Sequence, residues 1–208
     1  MEFTDAVHHD TDGYHARLVT TFEHAGTHFD APEHFVPGGA DTSTIGIDEL
    51  VLAAAVIDIR DKAEENPNAI VEPADIAAFE EANGPIQPGT AVLIESGWAR
   101  HNADKLKYAG SETTDDLKFP GFGIEASRIL VERGVVGLGV DTLGIDPGDM
   151  PHFPVHREVT HPAGLWHLEN LINVDQLPAT GAVIAVGVPR IVGGTDFPTR
   201  VFAFVPNS

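Results

Sequence analysis

A single α/β domain is what this sequence predicts, and three observations predict it. Short apolar runs that suit buried strands recur along the chain, at 49–59 (ELVLAAAVIDI), 91–96 (AVLIES) and 181–191 (GAVIAVGVPRI). Helix-like segments closed by glycine lie between them, ending at Gly84 and Gly134. No linker, repeat or low-complexity tract divides the chain, and 208 residues suit one sizeable core, 1–208, better than two.

Taken in order, residues 16–23 (ARLVTTFE) mix β-branched and apolar residues and read as a strand entering a polar cluster. FVPGGADTST follows as a loop, punctuated by Pro37, Gly38 and Gly39. The run at 49–59 is continuous rather than alternating, which marks a strand buried on both faces. Glu72, Pro73, Ala74 and Asp75 open a helix over IAAFEEAN that Gly84 ends. AVLIES is a second buried strand. Ile124 to Arg133 form a helix, Gly134 stops it, and Val135 to Asp141 form a strand that turns polar at its end. GAVIAVGVPRI and RVFAFVP supply the last two strands.

Composition excludes several kinds of partner. The formal charge is −20, from 32 acidic and 12 basic residues, so a nucleic-acid backbone or an anionic membrane surface is repelled. No apolar run approaches the roughly 20 residues of a membrane span. The polar, acidic start MEFTDAVHHD lacks the marks of a signal peptide, and a cytoplasmic setting is expected. There are no cysteines. Any metal must therefore sit on imidazole and carboxylate, a donor set suited to zinc, manganese, iron, nickel or copper.

One stretch offers such donors densely. HAGTHFDAPEH, 24–34, places His24, His28, Asp30 and His34 at even positions. In a straight strand these share a face, but at ~3.3 Å per residue His24 and His28 stand about 13 Å apart, too far for one ion. A helix aligns the two histidines, yet turns Asp30 away and misplaces Pro32. A bend at Gly26–Thr27 resolves this, because glycine adopts dihedrals that other residues resist. His24, His28 and Asp30 then make an open metal site, with His34 beside it as a general base. A lone histidine in a strand is ordinarily just hydrogen-bonded; four such groups around a glycine and a proline point to metal.

A second cluster lies at 149–170, with His152, His156, His161, His167 and Glu169. One of His167 and Glu169 is expected to face inward on a short strand. Phe29, Phe35, Trp98 and Trp166 are candidates to line an aryl pocket, each with a plain core role as the competing reading.

These residues resemble a known family. HAGTHFDAPEHF is similar to the H-x-G-T-H-x-D-x-P-x-H signature of the metal-dependent cyclase family, which includes kynurenine formamidases and isatin hydrolases. ESGWARH, FPGFGIEASRILVERGVVGLGVDTLGIDPG, VHREV with HLENLINVDQLP, and GGTDFPTRVFAFVP resemble its later segments, so the likeness runs over most of the chain.

The resemblance implies that His24, His28 and Asp30 bind metal and that His34 shuttles protons. It implies that His156 and Glu169 help to hold a second ion, with His161 as an alternative to His156 because the spacing to Glu169 is one residue longer than the family's. One or two divalent ions, zinc or manganese, are expected. So are a swivelling β/β/α architecture with a mixed central sheet and a homodimer or larger homo-oligomer. The implied activity is metal-assisted hydrolysis of an amide C–N bond in a small aryl formamide or cyclic amide. A cyclase or dehydratase acting on a polyketide-like or hydroxy-acid substrate is the rival enzyme. A non-catalytic binder of the same fold is the rival from another class, and His34 argues against it.

Overall fold

The computed structural model describes residues 1–113 and 115–206. Its strands are β1 (Glu2–Val7), β2 (Ala16–Thr20), β3 (His28–Asp30), β4 (Val51–Asp58), β5 (Ile70–Val71), β6 (Ala91–Glu95), β7 (Gly121–Phe122), β8 (Gly137–Gly139), β9 (Trp166–Glu169), β10 (Ala182–Val186), β11 (Asp196–Pro198) and β12 (Val201–Phe204). The α-helices are α1 (His9–Asp12), α2 (Arg60–Glu65), α3 (Pro73–Asn83), α4 (Lys105–Ala109) and α5 (Ile124–Glu132).

Eight strands form a mixed sheet in the order β11-β3-β9-β8-β6-β4-β10-β12. Its centre, β9-β8-β6-β4, is parallel, and both flanks are antiparallel. The expected buried strands are here, and β6 is buried at all five positions. The expected helices are α3, with Gly84 as its C-cap, and α5. The strand expected over 135–141 shortens to β8, and the strand at the N-terminal end differs more. Residues 16–20 do not feed the central sheet; β2 pairs antiparallel with β1 as a separate, exposed hairpin.

Alternation of side chains across the sheet creates two cores. Ala55, Ile57, Val92, Ile94 and Leu138 face Ile76 and Phe79 of α3 and Ala126 and Leu130 of α5. On the reverse face, Ala54, Val56, Leu93, Ile184, Phe29, Trp166 and Leu168 pack together. The sheet register extends the first face into something chemically different. Asp196, Asp30, His167, Leu138, Val92 and Ala55 are matched neighbours on six successive strands. This row is apolar under the helices and becomes polar beyond them. That polar end is where the candidate site lies.

Candidate metal centre

Strand periodicity assembles the site. His28 and Asp30 of β3 stand opposite Glu169 and His167 of β9, and Asp196 of β11 stands opposite Asp30 from the other side. Because positions i and i+2 share a face, all five side chains project from one surface. Both His167 and Glu169 face inward, not one of them.

His24 joins from outside the sheet. Gly26 has φ 69°, the left-handed conformation that glycine adopts without penalty. The turn folds the chain back, so His24 Nδ1 lies 3.3 Å from His28 Nε2 and 3.7 Å from Asp30 Oδ1. This is the bend that the spacing demanded. Pro32–His34 then form a 3₁₀ turn that returns His34 to within 4.4 Å of His24, ring to ring.

The electrostatics call for a cation. His28 Nδ1–H donates to the Gly26 carbonyl at 2.9 Å, so Nε2 is the nitrogen turned to the cluster. That nitrogen faces Asp30 Oδ1 at 3.0 Å and Glu169 Oε2 at 3.4 Å. Asp30 Oδ1 is buried without a hydrogen-bond partner. His24 Nε2 is 3.2 Å from Asp196 Oδ2, while its Nδ1 is turned toward the cluster. Acceptors thus converge on one another, which is costly in a buried place unless a positive charge lies among them. Burial lowers the His28 pKa, but Asp30 and Glu169 overcome it and hold the ring up at about 11. The lone pair that takes a proton so avidly is equally suited to a metal ion. His28, Asp30 and Glu169 offer donor atoms within 4.8 Å of one another, so the residues fit a divalent ion.

His34 behaves differently. Burial pushes its pKa down to about 4, leaving a neutral imidazole at neutral pH beside the cluster, with Nδ1 3.4 Å from Asp196 Oδ2. His34 and the cluster of His24, His28, Asp30 and Glu169 open onto a cavity of about 700 Å³, walled by Phe35, Leu117, Phe119, Leu143, Met150 and Phe153.

Known proteins resemble this chain in sequence and fold. Residues 2–147 match the family model described as putative cyclase. The isatin hydrolase of Roseibium aggregatum is 30% identical over 210 residues, 96% of this chain and 79% of that protein. The kynurenine formamidase of Salinibacter ruber is 27% identical, covering 85% of this chain and 74% of its own. The chain belongs to the putative cyclase family. Among solved structures, an isatin hydrolase bound to the product analogue thioisatinate superposes with a TM-score of 0.90 at 29% identity, covering 99% of this chain and 82% of that one. Isatin hydrolase A from Ralstonia solanacearum gives 0.89 at 32%, covering 99% and 81%.

In this member of the putative cyclase family, a widened helical turn carries His156 to the site. Val155–Thr160 form a π-helix, whose wider turn takes one residue more than an α-helix over the same rise. His156 Nε2 thereby reaches Glu169 Oε1 at 3.3 Å and Asp30 Oδ2 at 3.8 Å. His161 lies beside His156, ring centroids 5.4 Å apart, and both belong to one group of candidate donors. His152, by contrast, borders the cavity as an exposed residue and joins no cluster.

Two carboxylates escaped the sequence reading. Asp146 is 2% exposed and accepts from the backbone N–H of Val155 and His156 and from His156 Nδ1 at 2.6 Å, so it anchors the π-helix and aims the ring. Asp196 is fully buried, and burial followed by the Asp30 charge pushes its pKa up to about 9. Neither has a local pattern. Their role comes from register and loop path, which the sequence does not display.

The aryl-pocket candidates need correction. Phe35 lines the cavity. Phe29 and Trp166 instead pack on each other in the reverse core, ring centroids 5.4 Å apart, because odd and even positions on β3 and β9 face opposite ways. Trp98 is buried elsewhere, its Nε1–H donating to the Tyr108 carbonyl at 2.8 Å.

Proposed function

We infer that the chain is a divalent-metal-dependent hydrolase of carbon–nitrogen amide bonds, and we propose small aryl formamides or cyclic aryl amides as its substrates. The observation that carries this is the junction of a buried imidazole–carboxylate cluster with a neutral histidine on an apolar, aromatic-walled cavity. The relatives named for isatin and for a formamide support the amide class.

His24, His28 and Asp30 would hold the ion, with Glu169 and His156 beside them. When bound, a divalent ion polarises a carbonyl oxygen and acidifies water. Zinc and manganese both suit a set of imidazole and carboxylate donors. His34 takes the proton of the attacking water and returns it to the leaving nitrogen, as the amide C–N bond breaks and a carboxylate forms. Phe35, Phe119 and Phe153 hold the aromatic ring and exclude bulk water from the reacting carbonyl.

A homo-oligomer is part of this proposal. The β1–β2 hairpin exposes Phe3, Tyr14, Leu18 and Val19, each by more than half, and a two-stranded hairpin is marginal alone in water. A second copy of the chain is the partner we assign to it.

The test is to strip the metal with a chelator, restore zinc or manganese singly, and follow isatin and N-formylkynurenine spectroscopically. Activity lost with the metal and regained with one of the two ions supports the reading. Metal-loaded protein that hydrolyses neither compound nor related aryl amides would overturn it.

A further inference from the structure

We propose that Asp30, His156, His161 and His167 form a second metal position, in which His161 and His167 are ligands in their own right. It rests on the proposed function through Asp30 and His156, which stand beside both positions. One donor atom from each of the four residues lies within 4.8 Å of the others. All four side chains are buried, and His167 is fully enclosed.

The hydrogen bonds fix which nitrogen each ring leaves free. His161 Nδ1 lies 2.9 Å from the Leu165 carbonyl, which can only accept, so Nδ1 carries the proton and Nε2 the lone pair. Thr160 Oγ1 spends its proton on the Val155 carbonyl at 2.8 Å. It must therefore accept from His167 Nε2 at 2.9 Å, which leaves the lone pair on His167 Nδ1. His156 Nδ1 donates to the Asp146 carboxylate, which leaves Nε2 free.

His161 Nε2 and His167 Nδ1 are both buried with no hydrogen-bond partner. Their rings stack at 4.1 Å with an interplanar angle of 24°. Two buried nitrogens without a hydrogen-bond partner, close to His156 and the Asp30 carboxylate, carry a penalty that folded proteins seldom leave uncompensated. One cation answers all four groups. Ligating imidazoles are characteristically tied through the other nitrogen to a carboxylate, carbonyl or hydroxyl, and each of these three rings is tied in that way. Metal–ligand bonds of ~2.1 Å place donors about 3.4–4.2 Å apart, so small side-chain shifts close the cluster around an ion.

The position differs from one held by His156 and Glu169. His156 Nε2 stands between the two, 3.3 Å from Glu169 Oε1. His161 and His167 are buried and are not among the residues that line the cavity. An ion there would fix the orientation of Asp30.

Titration of metal-free protein with cobalt(II), followed by visible absorption and by elemental analysis after desalting, tests the assignment. Wild type should bind about two equivalents, and His161→Asn and His167→Gln about one each. The side-chain amide introduced by His161→Asn can still donate to the Leu165 carbonyl, and the one introduced by His167→Gln to Thr160 Oγ1. Each variant therefore removes only the free lone pair. Thermal melts of both metal-free variants check that they fold, and either one alone suffices. His28→Ala should keep the second ion while losing the first. Unchanged stoichiometry in both folded variants, whether one ion or two, would sink the second position and leave the proposed hydrolase standing. Wild type that binds no ion at all would remove both readings.

Discussion

Single side chains in this hydrolase carry charge states that backbone position imposes. His34 is neutral because burial disfavours its cation, and that is the state a general base needs. His34→Ala should lower kcat by about 10²–10⁴-fold. Bound metal should remain at the wild-type level, since His24, His28 and Asp30 are untouched; parallel loss of metal would instead make His34 a ligand. Glu95, at the end of β6, shows the same physics without catalysis. It is 6% exposed, and burial, then the charges of Asp141 and Asp175, push its pKa up to about 7. A folded-state pKa above the unfolded value means the folded protein binds the proton more tightly. Stability contributed by the neutral acid is therefore present at about pH 4.5 and lost as pH rises through about 7. Glu95→Gln cannot ionise, so it should be more stable than wild type at pH 8 by about 1–3 kcal/mol. Near pH 4.5 the gain should vanish. Urea midpoints at the two pH values decide it, and an equal gain at both would remove ionisation as the cause.

Elements place these side chains, and here packing sets tighter limits than chemistry. A Cβ on Gly137 of β8 would collide with the Trp166 ring of β9, so the parallel pairing of the two strands depends on a missing side chain. Gly137→Ala should cost about 1–3 kcal/mol through overpacking, read as a lower denaturation midpoint, and should disturb metal binding because His167 and Glu169 ride on the same strand as Trp166. Such dependence is invisible in a sequence, where Gly137 is one glycine among many. Patterns that act over a few residues were legible: the apolar runs of β4, β6 and β10, the glycine-ended helices α3 and α5, and the bend at Gly26. The HAGTHFDAPEH spacing carried enough local geometry to bring four side chains together. Features that depend on distant pairing were not legible. Asp196 reaches the site only because β11 pairs with β3 in one register, and His161 and His167 meet only across the π-helix and β9. The aromatic candidates failed for a related reason: residue type gave no sign of which face Phe29 and Trp166 would take.

At the scale of the whole molecule, charge and the N-terminal hairpin pull in opposite directions. A net charge of −20 makes any two copies repel. The hairpin nevertheless presents Phe3, Leu18 and Val19 to water, with Phe22 80% exposed just beyond it. Burying these side chains in a second copy favours association at about 25 cal/mol per Å², and this attraction does not weaken with salt. The repulsion does, because the Debye length falls from about 30 Å at 0.01 M salt to about 8 Å at 0.15 M. Association should therefore strengthen as salt rises. Sedimentation at fixed protein concentration should show the assembled fraction growing from low to physiological ionic strength. Leu18→Ser combined with Phe3→Ser should return the protein to monomers at both, with the metal cluster intact because no residue of the hairpin enters it. A chain that stays monomeric at every salt concentration, with its hairpin folded, would mean that another surface or another partner covers these residues.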